Sequence, residues 1–211
     1  ARGGKSMRKL GRLGGPEGFS WRILLALCVV SALECPSMHA AGNGWVGMNS
    51  GLNGSYVEDL ILVPSAPQTL YAGTWGGVYK STDGGAGWKP AGDGLTNRAI
   101  SCLVADPSSP QTVYAGTANG ILKTTDGGGN WTSAGSGMTE VAVHSMAIHP
   151  ASPQVLYAGT SVDGVFKSTD GGGTWTGINN GLALSSVASL AINPLSPQTV
   201  FAAVTGFGVY K

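Results

Sequence analysis

After residue 44 the chain is a succession of short apolar runs separated by glycine- and proline-rich turns. LILVP (60–64), LVADP (103–107), MAIHP (146–150) and LAINP (190–194) form one set of runs. QTLYAGT (68–74), QTVYAGT (111–117), QVLYAGT (154–160) and QTVFAAV (198–204) form a second, and GVYK (77–80), GILK (120–123), GVFK (164–167) and GVYK (208–211) a third. A fourth run begins at each of Trp88, Trp131 and Trp175. Runs this short, rich in β-branched and aromatic residues and bounded by turn residues, read as strands rather than helices. Pro-Ser and Pro-Gln turns between the first and second runs, and glycines between the others, predict a four-stranded antiparallel meander in each unit.

The units repeat at a constant interval. Trp45, Trp88, Trp131 and Trp175 are spaced 43, 43 and 44, and so are Gln68, Gln111, Gln154 and Gln198. A period of this length with four strands per unit is the size of a propeller blade. The expected fold is therefore all-β, a β-propeller of four-stranded antiparallel blades with about four blades present. The repeats occupy 41–211, with a seam strand at 45–48 and blades at 57–90, 101–133, 144–177 and 188–211. Composition agrees: 35 glycines, 11 prolines and 11% charged residues in 211 suit turns and strands and disfavour helix interiors.

Between the third and fourth strands the chain writes KSTDGGAGW (80–88), KTTDGGGNW (123–131) and KSTDGGGTW (167–175). A tight hairpin must reverse the chain here. The aspartate can accept hydrogen bonds from the amides of its own turn, glycine tolerates positive φ, and the indole packs beneath. A catalytic pair of acids needs one shared pocket, whereas these acids sit on separate, repeat-related turns. A structural role is expected for Ser81, Asp83, Gly85 and Trp88, for Thr124, Asp126, Gly128 and Trp131, and for Ser168, Asp170, Gly172 and Trp175.

These three segments resemble the Asp-box, or bacterial neuraminidase repeat, and the resemblance covers residues 45–211. Proteins with this motif include sialidases, xyloglucanases, sortilin-type receptors and photosystem II assembly factors, all β-propellers. The resemblance implies the propeller fold, usually with six or more blades, and places the boxes on the face away from any active site.

The first forty residues differ in kind. Arg2, Lys5, Arg8, Lys9, Arg12 and Arg22 precede or enter a region whose apolar run, ILLALCVVSAL (23–33), is followed by ECPSMHAAG. Basic stretch, short apolar run and small-residue end are the plan of a secretory signal peptide, and the run is too short to span a bilayer. The expected protein is secreted or periplasmic, with residues 1–40 as its leader and no membrane span in the mature part. Cys28 and Cys35 belong to that leader, so Cys102 alone excludes a disulfide framework or a cysteine metal site within one mature chain. From Ala41 onward six cations face nine acids, which argues against nucleic acid as a partner. No cofactor and no metal are expected.

The same residues bear on enzyme readings. A sialidase needs three arginines on the substrate carboxylate, and after the leader only Arg98 is present. A xyloglucanase-like hydrolase needs two carboxylates across a cleft. Outside the hairpins and Asp106, the candidates are Glu58, Asp59, Asp93, Glu140 and Asp163, with Glu58 and Asp59 expected on opposite faces of one strand. His144 aligns with Ser101 and Ala188, and His149 with Asp106 and Asn193; turn or loop roles are expected for both. Ser145 beside His144 lacks an orienting acid for nucleophilic chemistry.

Variation concentrates on the loops opposite the hairpins. Repeat three gains a residue (TSVDG against TANG), the fourth has VTGFG, and Trp75 and Phe207 stand where repeat two has Ala118. Tyr56, Trp75, Arg98, Glu140, Asp163 and Phe207 are the candidate ligand-binding residues, aromatic platforms with a few polar groups suited to sugar rings or peptides. The expected function is a non-catalytic binding or assembly module for a glycan or an extracellular or periplasmic protein. The alternative is a truncated piece of a xyloglucanase-like glycoside hydrolase whose catalytic acids lie in missing blades.

The two ends of the chain are complementary halves of a blade. GNGWVGMNSGL (42–52) matches the fourth strand of a blade, as in WTGINNGL (175–182), while the last run stops at Lys211 before a fourth Ser-Thr-Asp. Pairing of 45–48 with 208–211 would close a four-bladed ring; otherwise the chain is cut short of further repeats, or the ring is completed by oligomerisation. The missing initiator, with Met7 as a plausible start, points to a fragment.

Overall fold

The computed structural model describes residues 45–52, 56–92, 95, 98–138 and 140–211. Residues 1–40, expected as a leader and holding Cys28 and Cys35, and the candidate acid Asp93 lie outside the described residues. The structure is the all-β propeller architecture expected. The first sheet contains β1 (Val57–Val63), β2 (Ala66–Thr74), β3 (Gly77–Ser81) and β4 (Lys89–Pro90) in that spatial order. The second contains β5 (Ile100–Ala105), β6 (Val113–Thr117), β7 (Gly120–Thr124) and β8 (Thr132–Ser133). The third contains β9 (Val143–Ile148), β10 (Leu156–Thr160), β11 (Val165–Ser168) and β12 (Thr176–Gly177). The fourth has three strands, β13 (Val187–Ile192), β14 (Val200–Val204) and β15 (Gly208–Tyr210). All pairings between these strands are antiparallel, and the innermost strands β1, β5, β9 and β13 pack against one another in sequence order.

Sheet-to-sheet packing explains why YAGT recurs. Gly73, Gly116 and Gly159 face the first residues of the next innermost strand. A Cβ on Gly73 would lie 2.8 Å from Ile100, and one on Gly116 2.9 Å from Val143. One on Gly159 would lie 2.6 Å from Val187 and would strike the Ser145 hydroxyl. Ile100, Val143 and Val187 are fully buried, so each glycine is the notch that admits a β-branched residue of the following blade.

Polar bonds repeat across the same contacts. Tyr71 Oη and Lys80 Nζ both donate to the Gly127 carbonyl, at 2.9 and 2.8 Å, with the ammonium 5.3 Å from the tyrosine ring centre. Tyr114 Oη and Lys123 Nζ do the same to the Gly171 carbonyl, both at 2.9 Å. Burial, reinforced by the charge of Asp126, pushes the Tyr71 hydroxyl up to about 12. Burial also raises Tyr114 to about 12, with Asp106 and Asp170 contributing. Both phenols therefore remain donors at any physiological pH. Tyr114→Phe should cost about 0.5–1.5 kcal/mol in urea unfolding. Tyr157→Phe should cost less, since among the described residues no such carbonyl meets its hydroxyl.

The seam strand expected at 45–48 is not formed. Residues 45–49 adopt no strand, Trp45 is fully exposed, and β15 pairs only with β14 among the described strands. The segment is instead held by the first sheet. Trp88 donates its indole Nε1 to the Met48 carbonyl at 2.9 Å and its amide to the Ser50 carbonyl at 2.8 Å. The physical reason lies in the second half of the same register. Met48 to Leu52 occupies, against Trp88, the place that Ala91 to Leu95 takes against Trp131, where Trp131 Nε1 donates to the Ala91 carbonyl at 2.9 Å. Gly51, at φ 93°, lies against the Trp88 carbonyl with no room for a side chain. This clamp fixes the segment on the first blade, at the opposite end of the array from β15. The outward faces of the end blades are accordingly open: Leu60 is 42% exposed where its equivalent Leu103 is 3%, and Val209 is 72% exposed where Val78 is 3%.

Candidate ligand-binding site

The hairpins bearing the repeated aspartates are self-contained. Ser81 Oγ donates to Asp83 Oδ1 at 2.7 Å and accepts from the Gly85 amide at 2.9 Å, while the Gly87 amide donates to the same carboxylate at 3.0 Å. Thr124 and Asp126 repeat this with the Gly128 amide and both the amide and side chain of Asn130. Ser168 and Asp170 repeat it with the Gly172 amide and the amide and hydroxyl of Thr174. These donors hold all three carboxyls below the ordinary range, Asp170 at about 2. A carboxylate occupied by its own turn, with its pKa depressed, is a poor general acid or base. The paired tryptophans differ in one respect. Trp175 Nε1 is buried and has no hydrogen-bond partner among the described residues. Gly135, at φ 136°, lies against its ring, whereas its register equivalent Gly92, at φ 85°, lies against the carbonyls of Gly128 and Gly129.

The turn assignments elsewhere also have a geometry. Asp106 Oδ1 accepts from the Ser108 amide and hydroxyl, Asn193 Oδ1 from the Leu195 amide, and His149 Nδ1 from the amides of Ala151 and Ser152. Three different side chains cap the same turn, because each offers an acceptor two or three residues ahead of an unpaired N–H. Among the described residues no three His, Cys, Asp or Glu side chains gather as a metal site requires.

On the opposite face a depression of about 380 Å³ opens where the innermost strands begin. Its lining includes Glu58, Ser101, His144 and Ala188, the same register position in all four blades, together with Trp75, Ile100 and Ser186. It is thus the mouth of the space between the innermost strands. Trp75 stands beside it on the β2–β3 turn, 58% exposed, and donates Nε1 to Glu58 Oε1 at 2.6 Å. Tyr56, 69% exposed, lies against the indole with ring centres 4.8 Å apart and planes tilted by 37°. The Trp75 amide also bonds to the Tyr56 carbonyl. The result is a two-ring aromatic ledge, fixed by a charged acceptor, at the rim of a polar depression. Across it, His144 Nδ1 and Ser186 Oγ lie 3.3 Å apart.

Of the residues singled out from sequence, Tyr56 and Trp75 meet. Arg98, Glu140, Asp163 and Phe207 are exposed and are not among the residues lining the depression. The Arg98 amide donates to the Leu95 carbonyl, Glu140 has a left-handed φ of 63°, and the Asp163 amide donates to Thr160 Oγ1. Phe207 does not hold the place of Trp75. Thr205 does, since its amide bonds to Ser186 as that of Trp75 bonds to Tyr56; Phe207 is the added residue at the turn end. Glu58 and His144 line the depression although their sequence context reads as loop decoration, and the signal that could have found them is their shared register with Ser101 and Ala188. Asp59 points away, as strand alternation requires, accepting from the Leu103 amide of the next blade at 2.7 Å.

No protein-family model matches the chain, and no curated protein matches it by sequence. Solved structures do. An ancestral GH74 enzyme aligns with a TM-score of 0.67 at 22% identity, over 81% of this chain and 24% of its own. The GH74 xyloglucanase from Xanthomonas campestris aligns at 0.58 and 20% identity, over 71% of this chain and 27% of its own. The extracellular domain of a hybrid two-component system from B. thetaiotaomicron aligns at 0.58 and 20% identity, over 73% of this chain and 20% of its own. The chain spans about a quarter or less of the length of these proteins. The likeness defines the class: a β-propeller array. No helix among the described residues is long and apolar enough to cross a membrane.

Proposed function

We propose that this chain is part of an exported Asp-box β-propeller and acts as a non-catalytic binding module for carbohydrate, through the depression at the start of the innermost strands. The observation that carries the reading is the Tyr56–Trp75 ledge with Trp75 tied to Glu58. Sugar rings present C–H faces that stack on indole and phenol, while their hydroxyls need acceptors and donors within a few ångströms, which Glu58, Ser101, His144 and Ser186 supply. Exposed aromatics held rigidly by a charge-assisted bond lose little freedom on binding. The three aspartate hairpins act as structural turns, and the ligand face lies opposite them. Extracellular location is supported by the B. thetaiotaomicron neighbour.

The test is titration with β-glucan and xyloglucan oligosaccharides by calorimetry. Trp75→Ala should weaken binding by about twofold to tenfold with cooperative melting retained, since a ring contact of this kind is worth about 0.5–1.5 kcal/mol. Equal affinity in wild type and variant would refute the site.

The likeness to GH74 enzymes favours a second reading, a piece of a glycoside hydrolase. Among the lining residues described, Glu58 is the one carboxylate, so its partner would have to come from blades outside these residues. Release of reducing sugar from xyloglucan, lost in Glu58→Gln, would favour that reading.

A further inference from the structure

The chemistry of the depression at the start of the innermost strands is set by Glu58. Its side chain is half-buried, which strengthens its field relative to a carboxylate in bulk water. Oε1 accepts the Trp75 indole N–H at 2.6 Å, and a carboxylate offers about four acceptor sites, so one such bond leaves capacity for a ligand. Among the lining residues described, the titratable groups are Glu58 and His144, and none is lysine or arginine. Asp59 points away from the depression but adds to the same negative field. Arg98 is exposed and outside the lining.

The rim has a matching property. Tyr56 and Trp75 are exposed with ring centres 4.8 Å apart, and each ring has a face of negative quadrupole. Donating its N–H to a carboxylate pushes electron density into the indole and makes that face a better seat for a cation. Carboxylate and ring face both attract a cation. Neither gains from an anion, and a neutral hydroxyl uses the carboxylate alone. We propose that the carbohydrate taken here is a protonated amino sugar, its ammonium resting on the Glu58 carboxylate and the Trp75 indole. The inference rests on the binding function proposed above and narrows it. Ser101, Ser186 and His144 line the rest of the depression and would meet the sugar's hydroxyls. A proton on His144 would oppose the ammonium, so this imidazole works against the preference and does not create it.

The test compares two hexamers with the same β-1,4 backbone, glucosamine hexamer and cellohexaose, which differ at carbon 2 by an amine against a hydroxyl. Calorimetric titration of the full chain at about pH 6, where the amines carry protons, should show the glucosamine hexamer binding tighter by about threefold to thirtyfold. Glu58→Gln keeps an oxygen for the indole and removes the charge. It should bring the two hexamers to within about twofold of each other, chiefly by weakening the aminated one. Asp106→Asn removes the same charge from a turn that Asn193 caps in the fourth blade, and should leave the preference in place. Raising NaCl from about 20 mM to about 0.5 M should shrink the preference in the wild type, a check that needs no variant.

Equal affinity for the two hexamers in the wild type would overturn the amine inference and leave the carbohydrate reading standing. Saturable binding of neither would overturn both. A preference that survives Glu58→Gln or high salt, or one lost equally in Asp106→Asn, would overturn the role given to this carboxylate. A hexalysine peptide should bind more weakly than the glucosamine hexamer, since it has no hydroxylated ring to stack and bond; equal or tighter binding would overturn the proposal in favour of a basic peptide.

Discussion

A chain carrying both Gly116→Ala and Gly159→Ala should lose about 2–6 kcal/mol of stability, from about 1–3 kcal/mol for each overpacked site and near-additivity of separate sites. The methyl at 116 would press on Cys102 Sγ at 2.5 Å and on Val143, and that at 159 on Ser145 and Val187. These neighbours are themselves buried; Val143 and Val187 begin the next blade's innermost strand while Cys102 and Ser145 lie on the innermost strand of the glycine's own blade, so neither side can yield without opening the blade contact. Against a total stability of about 5–15 kcal/mol for a domain, the urea midpoint should fall far enough to be unmistakable. The fourth blade supplies an internal control. Ala203 occupies the same register position, and no following blade packs on it among the described residues. Ala203→Gly should therefore change stability by no more than the roughly 1 kcal/mol that glycine costs in a strand. Similar losses at all three positions would mean that blade contacts do not explain the YAGT repeat.

The fold was legible because its determinants are local and periodic. Four strand-sized runs per interval of 43 or 44 residues leave few architectures, and the Ser/Thr-x-Asp-Gly-Gly turns carry their own hydrogen-bond partners within five residues. The turn-capping roles of Asp106, His149 and Asn193 are local in the same sense. The features that escape the sequence are those that depend on partners far along the chain. Trp45 has the register of a fourth-strand tryptophan, but the strand it should join ends at Tyr210, while the residues that hold its neighbours, Trp88 above all, belong to the first blade. The ledge at the mouth was half legible. Tyr56 and Trp75 stand out as exposed aromatics on variable loops, whereas the pairing of Trp75 with Glu58 requires knowing that the β2–β3 turn folds back over the start of β1. The added residue in VTGFG made Phe207 look equivalent to Trp75, because alignment by composition does not show which side of the turn the insertion occupies.

Acid should weaken the array through its three hairpin carboxylates. In the folded chain each is held below its ordinary pKa by donors that bind the ionised form: Ser81 and the Gly87 amide at Asp83, Asn130 and Thr124 at Asp126, Thr174 and Ser168 at Asp170. In the unfolded chain the carboxyls return to roughly 4. A depressed folded pKa contributes stability that is present in full above the unfolded value and is lost as pH falls through the folded one. The loss therefore begins near pH 4, passes through about 2 at Asp170 and continues below that at Asp126, which its donors hold lower still. Thermal melts across this range should show a falling midpoint in the wild type. The triple variant Asp83→Asn, Asp126→Asn, Asp170→Asn should melt roughly 5 °C or more lower at pH 7, since each hairpin loses a charge-assisted bond, and should be nearly flat over the same range. Added salt should leave the contrast in place, because these are contacts under 3.1 Å within one turn rather than fields between distant charges. A triple variant with the same acid sensitivity as the wild type would show that the pH dependence arises elsewhere, and would remove the carboxylates from the account of what holds the hairpins.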